Sequence, residues 1–108
     1  MATNFRITMN RTKDSLHLKL MGDFDITSAH ELLDVLKRNL NGVYRVILDT
    51  DNLENIYRTG RETFRSSLSG LNAYPLHIEC TGENAGRIVP ERSLFLNLHS
   101  PNFKKRRV

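Results

Sequence analysis

Cysteine is nearly missing from this chain. Of its 108 residues, only Cys80 carries a thiol. One thiol cannot close an intramolecular disulfide, nor can it supply a zinc site built from several thiolates. A reducing, cytoplasmic setting is the simplest inference. Long apolar runs are missing too. Nothing approaches the ~20 consecutive apolar residues that a membrane-spanning helix needs. The opening residues, MATNFRITMNR, contain no charged segment followed by an apolar one, so no secretory signal is expected. The fingerprints GxGxxG, GxxxxGK(S/T) and GxSxG are all absent. No nucleotide cradle or nucleophile elbow is therefore indicated, and no cofactor is expected.

Metal chemistry has little to build on. The histidines are His17, His30, His77 and His99. His17 and His77 fall on the polar phase of alternating runs, and no carboxylate stands near them at HxxxH or HxxE spacing. Asp23, Asp25, Asp49 and Asp51 follow two apolar runs, where the ends of parallel strands could gather them around a divalent cation. The plainer reading is that Asp25 and Asp49 tie down strand-to-helix loops through backbone N–H groups. Cys80 sits on an apolar phase, as a small core residue would.

The formal net charge is +4, with a sequence pI of about 9.6. Four of the 16 basic residues lie in the terminal KKRRV, and the rest of the chain balances at 12 basic against 12 acidic. The basicity belongs to a solvated tail over 104–108 and implies no specific nucleic-acid partner; the alternative is a weak grip of that tail on nucleic acid or an acidic membrane surface.

What is present is periodicity. Residues 5–9 alternate Phe5, Ile7 and Met9 against Arg6 and Thr8, and residues 16–21 alternate Leu16, Leu18 and Leu20 against His17 and Lys19. These are the period-two marks of strands, joined by the turn NRTKDS as an antiparallel pair. Gly22 ends the second strand. Ser28 and Glu31 fit a capping box. Ala29, Leu32, Leu33, Leu36 and Leu40 then form one helical stripe, stopped at Asn41-Gly42. The run 43–48 (VYRVIL) suits a central strand buried on both faces, ended by Asp49. A polar loop of about eight residues leads to a second helix, with Phe64, Leu68 and Leu71 on one face and Asn72 as its stop. Residues 76–80 alternate again. TGENAG reads as a loop, and SLFLNLH reads as an edge strand, with a short helix as the alternative for so brief a run. The order β β α β α β, plus one short element, predicts an α/β fold: a mixed sheet of four to five strands with amphipathic helices packed on it. A single domain over 1–103 is expected.

The second helix opens oddly. Thr59-Gly60-Arg61-Glu62 has the spacing of a capping box, which would make Thr59 the N-cap. Yet Arg58, Arg61 and Arg65 crowd a helix start, where the dipole favours acids. Such a patch suits a visiting anion: a phosphate, an acidic partner, or a phosphate carried by Thr59 itself.

The turn Gly22-Asp23-Phe24-Asp25, the strand Val46-Ile47-Leu48-Asp49 and the hydroxyl-Gly helix start at Thr59-Gly60 together resemble the STAS domain. That family includes the bacterial anti-sigma factor antagonists and domains attached to sulfate transporters. The resemblance covers roughly residues 5–80. In antagonists, a D-S-S-G-L motif opens the second helix, and a kinase-like anti-sigma factor phosphorylates its second hydroxyl. Phosphorylation releases the antagonist, which frees the anti-sigma factor to capture its sigma factor. By order, Thr59 falls on the phosphorylated position, with Tyr57 in place of the acid, Arg58 in place of the first serine and Arg61 in place of the leucine. The resemblance implies a non-enzymatic module whose partner is a protein of the kinase-like anti-sigma type, bound through Asp25, Asp49, Arg58, Gly60, Arg61 and Arg65 around Thr59. The alternative is an unphosphorylated scaffold, or a binder of an anionic ligand at the arginines. A small enzyme built on the aspartates is a third reading. An exposed edge strand could also pair two copies as a homodimer.

Overall fold

The computed structural model describes residues 4–68, 76–89 and 93–96. In chain order the elements are β1 (Arg6–Arg11), β2 (Ser15–Phe24), α1 (Ile26–Asn39), β3 (Arg45–Ile56), α2 (Arg58–Ser67), β4 (Leu76–Thr81), α3 (Ala85–Ile88) and β5 (Ser93–Leu96). The strands form one sheet in the order β1-β2-β3-β4-β5. β2, β3 and β4 run parallel, while β1 and β5 flank them antiparallel. This is the mixed sheet that the element order predicts. The stop expected at Leu71 and Asn72, the proline at 90 and the basic tail lie outside the described residues.

Alternation decides which face is covered. Leu16, Leu18 and Leu20 of β2, Val46 and Leu48 of β3, and Ile78 and Cys80 of β4 are all buried. Between them His17, Lys19 and Arg45 are exposed, and Ile47, Asp49, His77 and Glu79 are half-buried. The helices therefore cover one face of the sheet. The expectation that β3 is buried on both faces fails at Ile47, since no described helix packs on that side.

The α1 stripe is buried as its spacing predicts: Ala29, Leu32, Leu33, Leu36 and Leu40 are all in the core. Phe64 of α2 is buried, and so is Leu68 at its C-cap. Phe24 joins the layers, with Phe5 edge-on at 5.8 Å and Phe64 edge-on at 6.2 Å between ring centroids. At Asn41-Gly42 the chain turns as expected, with Gly42 at φ +79°.

Three boundaries depart from the sequence expectation. Gly22 does not end β2, which continues to Phe24. It stands inside the strand at φ +90°, beside a shift of register at Asp23, and a Cβ there would collide with the Asn4 carbonyl. Asp49 does not end β3, and TDNLEN is not a loop. β3 runs on to Ile56, pairing Asn52 with Met21, Leu53 with Gly22, Asn55 with Asp23 and Ile56 with Phe24. This half of β3 extends past β4, where Asn84 Nδ2 donates to the Thr50 and Leu53 carbonyls at 3.1 and 3.4 Å. Backbone pairing on one side and side-chain capping on the other replace the apolar pattern that a strand usually shows. Finally, the TGENAG segment passes into the single-turn helix α3.

Candidate functional site

The parallel pairing of β2 with β3 carries the starts of α1 and α2 side by side. Phe24 pairs with Ile56, and the Tyr57 N–H donates to the Phe24 carbonyl at 2.9 Å. One residue further on, each chain enters its helix. Gly60, in the first turn of α2, presses onto the β2–α1 link. A Cβ at Gly60 would lie 2.6 Å from the Phe24 carbonyl oxygen and 2.8 Å from the Asp25 carbonyl carbon. Only glycine allows backbone against backbone here. Its role is close approach, since its φ lies in the ordinary range.

Asp25 is the N-cap of α1. Its Oδ1 accepts from the Ser28 N–H at 2.9 Å and from the Ser28 hydroxyl at 3.0 Å. The Ser28 hydroxyl also lies 2.8 Å from the Asp23 carbonyl, and Ser28 is fully buried. The expected Ser28–Glu31 capping box is therefore displaced by three residues, because Ser28 is already inside the helix. Burial pushes the Asp25 carboxyl up, the two Ser28 hydrogen bonds act in the opposite direction, and the pKa lies below its ordinary value.

The second cap is also corrected. α2 begins at Arg58, and its N-cap is Tyr57, which makes no side-chain capping bond. Thr59 is exposed within the first turn, and among the described residues its hydroxyl has no hydrogen-bond partner. Glu62, the expected reciprocal partner of Thr59, instead accepts from Arg58 Nε at 2.9 Å. That hydrogen bond and the guanidinium charge lower the Glu62 pKa and raise that of Arg58. Both side chains are largely exposed, so the pair contributes little to stability.

The fold thus brings Asp25, Arg58, Thr59, Gly60 and Arg61 to one end of the sheet. Ile26 and Tyr57, 47% and 48% exposed, join them there as large apolar side chains facing water. Ile26 was not singled out by sequence, and Tyr57 figured there only as the residue in place of an acid. Their signal was position alone: Ile26 two residues beyond β2 and Tyr57 one residue beyond β3. Arg65 follows along α2, about one turn past Arg61. Asp49 does not belong to this group. It pairs with Lys19 and Thr81 in the middle of the open sheet face, and its Oδ1 accepts from the Asp51 N–H at 3.0 Å.

The four aspartates are not gathered either. Asp49 and the partner of Asp23, Asn55, stand six residues apart on β3, about 20 Å along the strand. Asp23 Oδ1 accepts from Asn55 Nδ2 at 2.8 Å, and Asp51 Oδ1 accepts from the Glu83 N–H at 2.9 Å. Each carboxylate serves a hydrogen bond of its own. The plainer sequence reading holds at Asp25, which accepts from the Ser28 N–H at the β2–α1 link, and fails at Asp49, which lies inside β3 and ties down no strand-to-helix loop. Cys80 is a buried thiol, its pKa pushed up to about 12 by that burial.

No protein-family model and no curated protein matches this sequence. Solved structures do match. The crystal structure of Mglu has a TM-score of 0.62 and 26% identity, covering 76% of this chain and 20% of that one. The chain thus spans about a fifth of Mglu's length. An uncharacterised protein of the DUF3478 family with a SpoIIAA-like fold, from Shewanella loihica PV-4, gives a TM-score of 0.54 and 14% identity. It covers 77% of this chain and 69% of that chain. The anti-sigma factor antagonist SpoIIAA in its unphosphorylated form gives 0.55 and 11%, over 80% of this chain and 81% of its own. The chain has a STAS-like α/β fold of the SpoIIAA type. Among the described residues, no helix is long and apolar enough to cross a membrane.

Proposed function

We propose that this chain is a non-enzymatic regulatory module that docks a protein partner at the paired starts of α1 and α2, and that phosphorylation of Thr59 switches the docking. The observation that carries the reading is the state of Thr59. It is exposed in the first turn of α2, it caps nothing, and Arg58 and Arg61 flank it. A phosphate there would add roughly −1.5 to −2 charge where helix N–H groups and guanidinium groups favour it. The fold would tolerate the modification while the surface changes sign. Ile26 and Tyr57 supply apolar contact beside the charge, the combination that protein interfaces use. The likeness to SpoIIAA supports a kinase-like anti-sigma factor as the class of partner.

The same arginines support a second reading, in which the chain is an unphosphorylated scaffold or an anion binder. Parallel capture experiments with wild type, Thr59→Glu and Arg61→Glu distinguish the two. A kinase-like ATPase retained by wild type and lost with Thr59→Glu is the expected result, together with phosphate found on Thr59 by mass spectrometry. Identical partners on wild type and Thr59→Glu, with loss only in Arg61→Glu, would overturn the switch in favour of the second reading.

A further inference from the structure

β1 is an edge strand of six residues, and among the described residues no strand lies along its outer side. It contains no proline and no bulge, two features that commonly blunt an edge. On the helix-covered face, the edge continues into a groove of about 400 Å³ between β1 and α1, lined by Ile7, Met9, Glu31, Val35, Arg38 and Asn39. Met9 is 49% exposed, and Ile7 and Val35 are only partly covered.

The groove is ordered from end to end. β1 runs antiparallel to β2, and α1 returns antiparallel to β2, so β1 and α1 run in the same direction. Ile7 and Met9 therefore ascend β1 as Glu31, Val35 and Arg38 ascend α1. An acid stands at one end, a base at the other, and apolar side chains lie between them. A surface of that form is complementary to itself after a half-turn.

We propose that this face pairs two copies of the chain across a two-fold axis near Thr8 and Val35, giving a homodimer with a continuous ten-stranded sheet. Antiparallel pairing of β1 with its copy, centred on Thr8, sets each Ile7 opposite a Met9 on the helix-covered face. It sets Thr8 opposite Thr8, and Arg6 opposite Asn10, on the open face. No like charges meet. The same axis reverses α1 against its copy and brings each Glu31 toward the partner copy's Arg38. Arg38 now holds Asp34 at 3.2 Å in a pair whose side chains are about two-thirds exposed, so it can turn to a second acid at little cost. One axis thus satisfies the strand layer and the helix layer together. The occupant is a second copy because an unrelated partner would not need this internal symmetry. The inference goes beyond the docking site at α2 and does not depend on Thr59.

The test is sedimentation equilibrium of the full chain at low ionic strength, from micromolar to millimolar concentration. Wild type is expected to dimerise reversibly. Met9→Lys, at a half-exposed position that a monomer accommodates, should weaken the dimer at least ~10-fold by placing cations against Ile7. Glu31→Arg and Arg38→Glu, each acting twice per dimer, should each weaken it by about 3- to 30-fold. The double variant E31R/R38E should restore most of the affinity, since the ends simply exchange sign. Far-UV circular dichroism confirms that each variant is folded. A wild type that stays monomeric would overturn the proposal. So would a dimer indifferent to Met9→Lys, as pairing through β5 would be, or a double variant no better than the singles.

Discussion

Gly60 and Asp25, thirty-five positions apart, are pressed backbone to backbone: a Cβ on Gly60 would stand 2.8 Å from both the carbonyl carbon and the carbonyl oxygen of Asp25. This contact sets the spacing between the starts of α1 and α2. It also explains why a glycine is kept in the first turn of a helix, where alanine would otherwise be favoured by about 1 kcal/mol.

Gly60→Ala should therefore destabilise the protein. The clash is with backbone, which cannot rotate away, so overpacking should outweigh the gain in helix propensity. A net loss of about 1–2 kcal/mol is expected in urea denaturation. A variant as stable as wild type would show that the two helix starts can separate freely.

The two helix starts should respond differently to truncation. Asp25→Ala removes a cap and leaves the buried Ser28 groups without that acceptor, so a loss of about 1–2 kcal/mol is expected. Thr59→Ala removes no cap, and its effect should stay within about 0.5 kcal/mol. If Thr59→Ala instead cost as much as Asp25→Ala, Thr59 would be the N-cap after all.

Acid should weaken the fold through Asp25. Its folded-state pKa lies below the ordinary value of 3.8, so its contribution is complete above that value and is lost as pH falls through the folded pKa. Glu79, held down by Arg45 across β3 and β4, acts in the same direction. Denaturation midpoints measured across the acid range should fall less steeply for Asp25→Asn than for wild type. Parallel curves would mean that other carboxylates carry the acid sensitivity.

Cys80 should be silent in the native state. With its thiol buried and its pKa near 12, almost no thiolate is present at neutral pH. Aromatic disulfide reagents should label it only in denaturant, or at the rate at which the fold opens. Rapid stoichiometric labelling of the native protein would contradict its place in the core.

Periodicity makes most of the fold legible in the sequence. The alternations at Leu16–Leu20 and Leu76–Cys80, and the stripe from Ala29 to Leu40, each have one buried face, and burial of one face is what writes a period into a sequence. The C-terminal half of β3 wrote none. TDNLEN is held by pairing with β2, by two shifts of register and by Asn84, so only Thr50 and Leu53 had to be buried. Capping was legible in kind but not in place. Ser28 and Thr59 have the right chemistry, yet the residues that enter non-helical backbone are Asp25 and Tyr57.

The sequence alone determined the sheet's central strands, the buried stripe of α1, the thiol's place in the core and the crowd of arginines around Thr59, because each depends on local pattern. Only the tertiary structure decided which candidates meet. Parallel pairing of β2 with β3 put Asp25 beside Gly60 and exposed Ile26 next to Tyr57. The same pairing left Asp49 out on the open face, seven residues back along β3 from Ile56. Those outcomes depend on register and strand length, which no local spacing in the chain encodes.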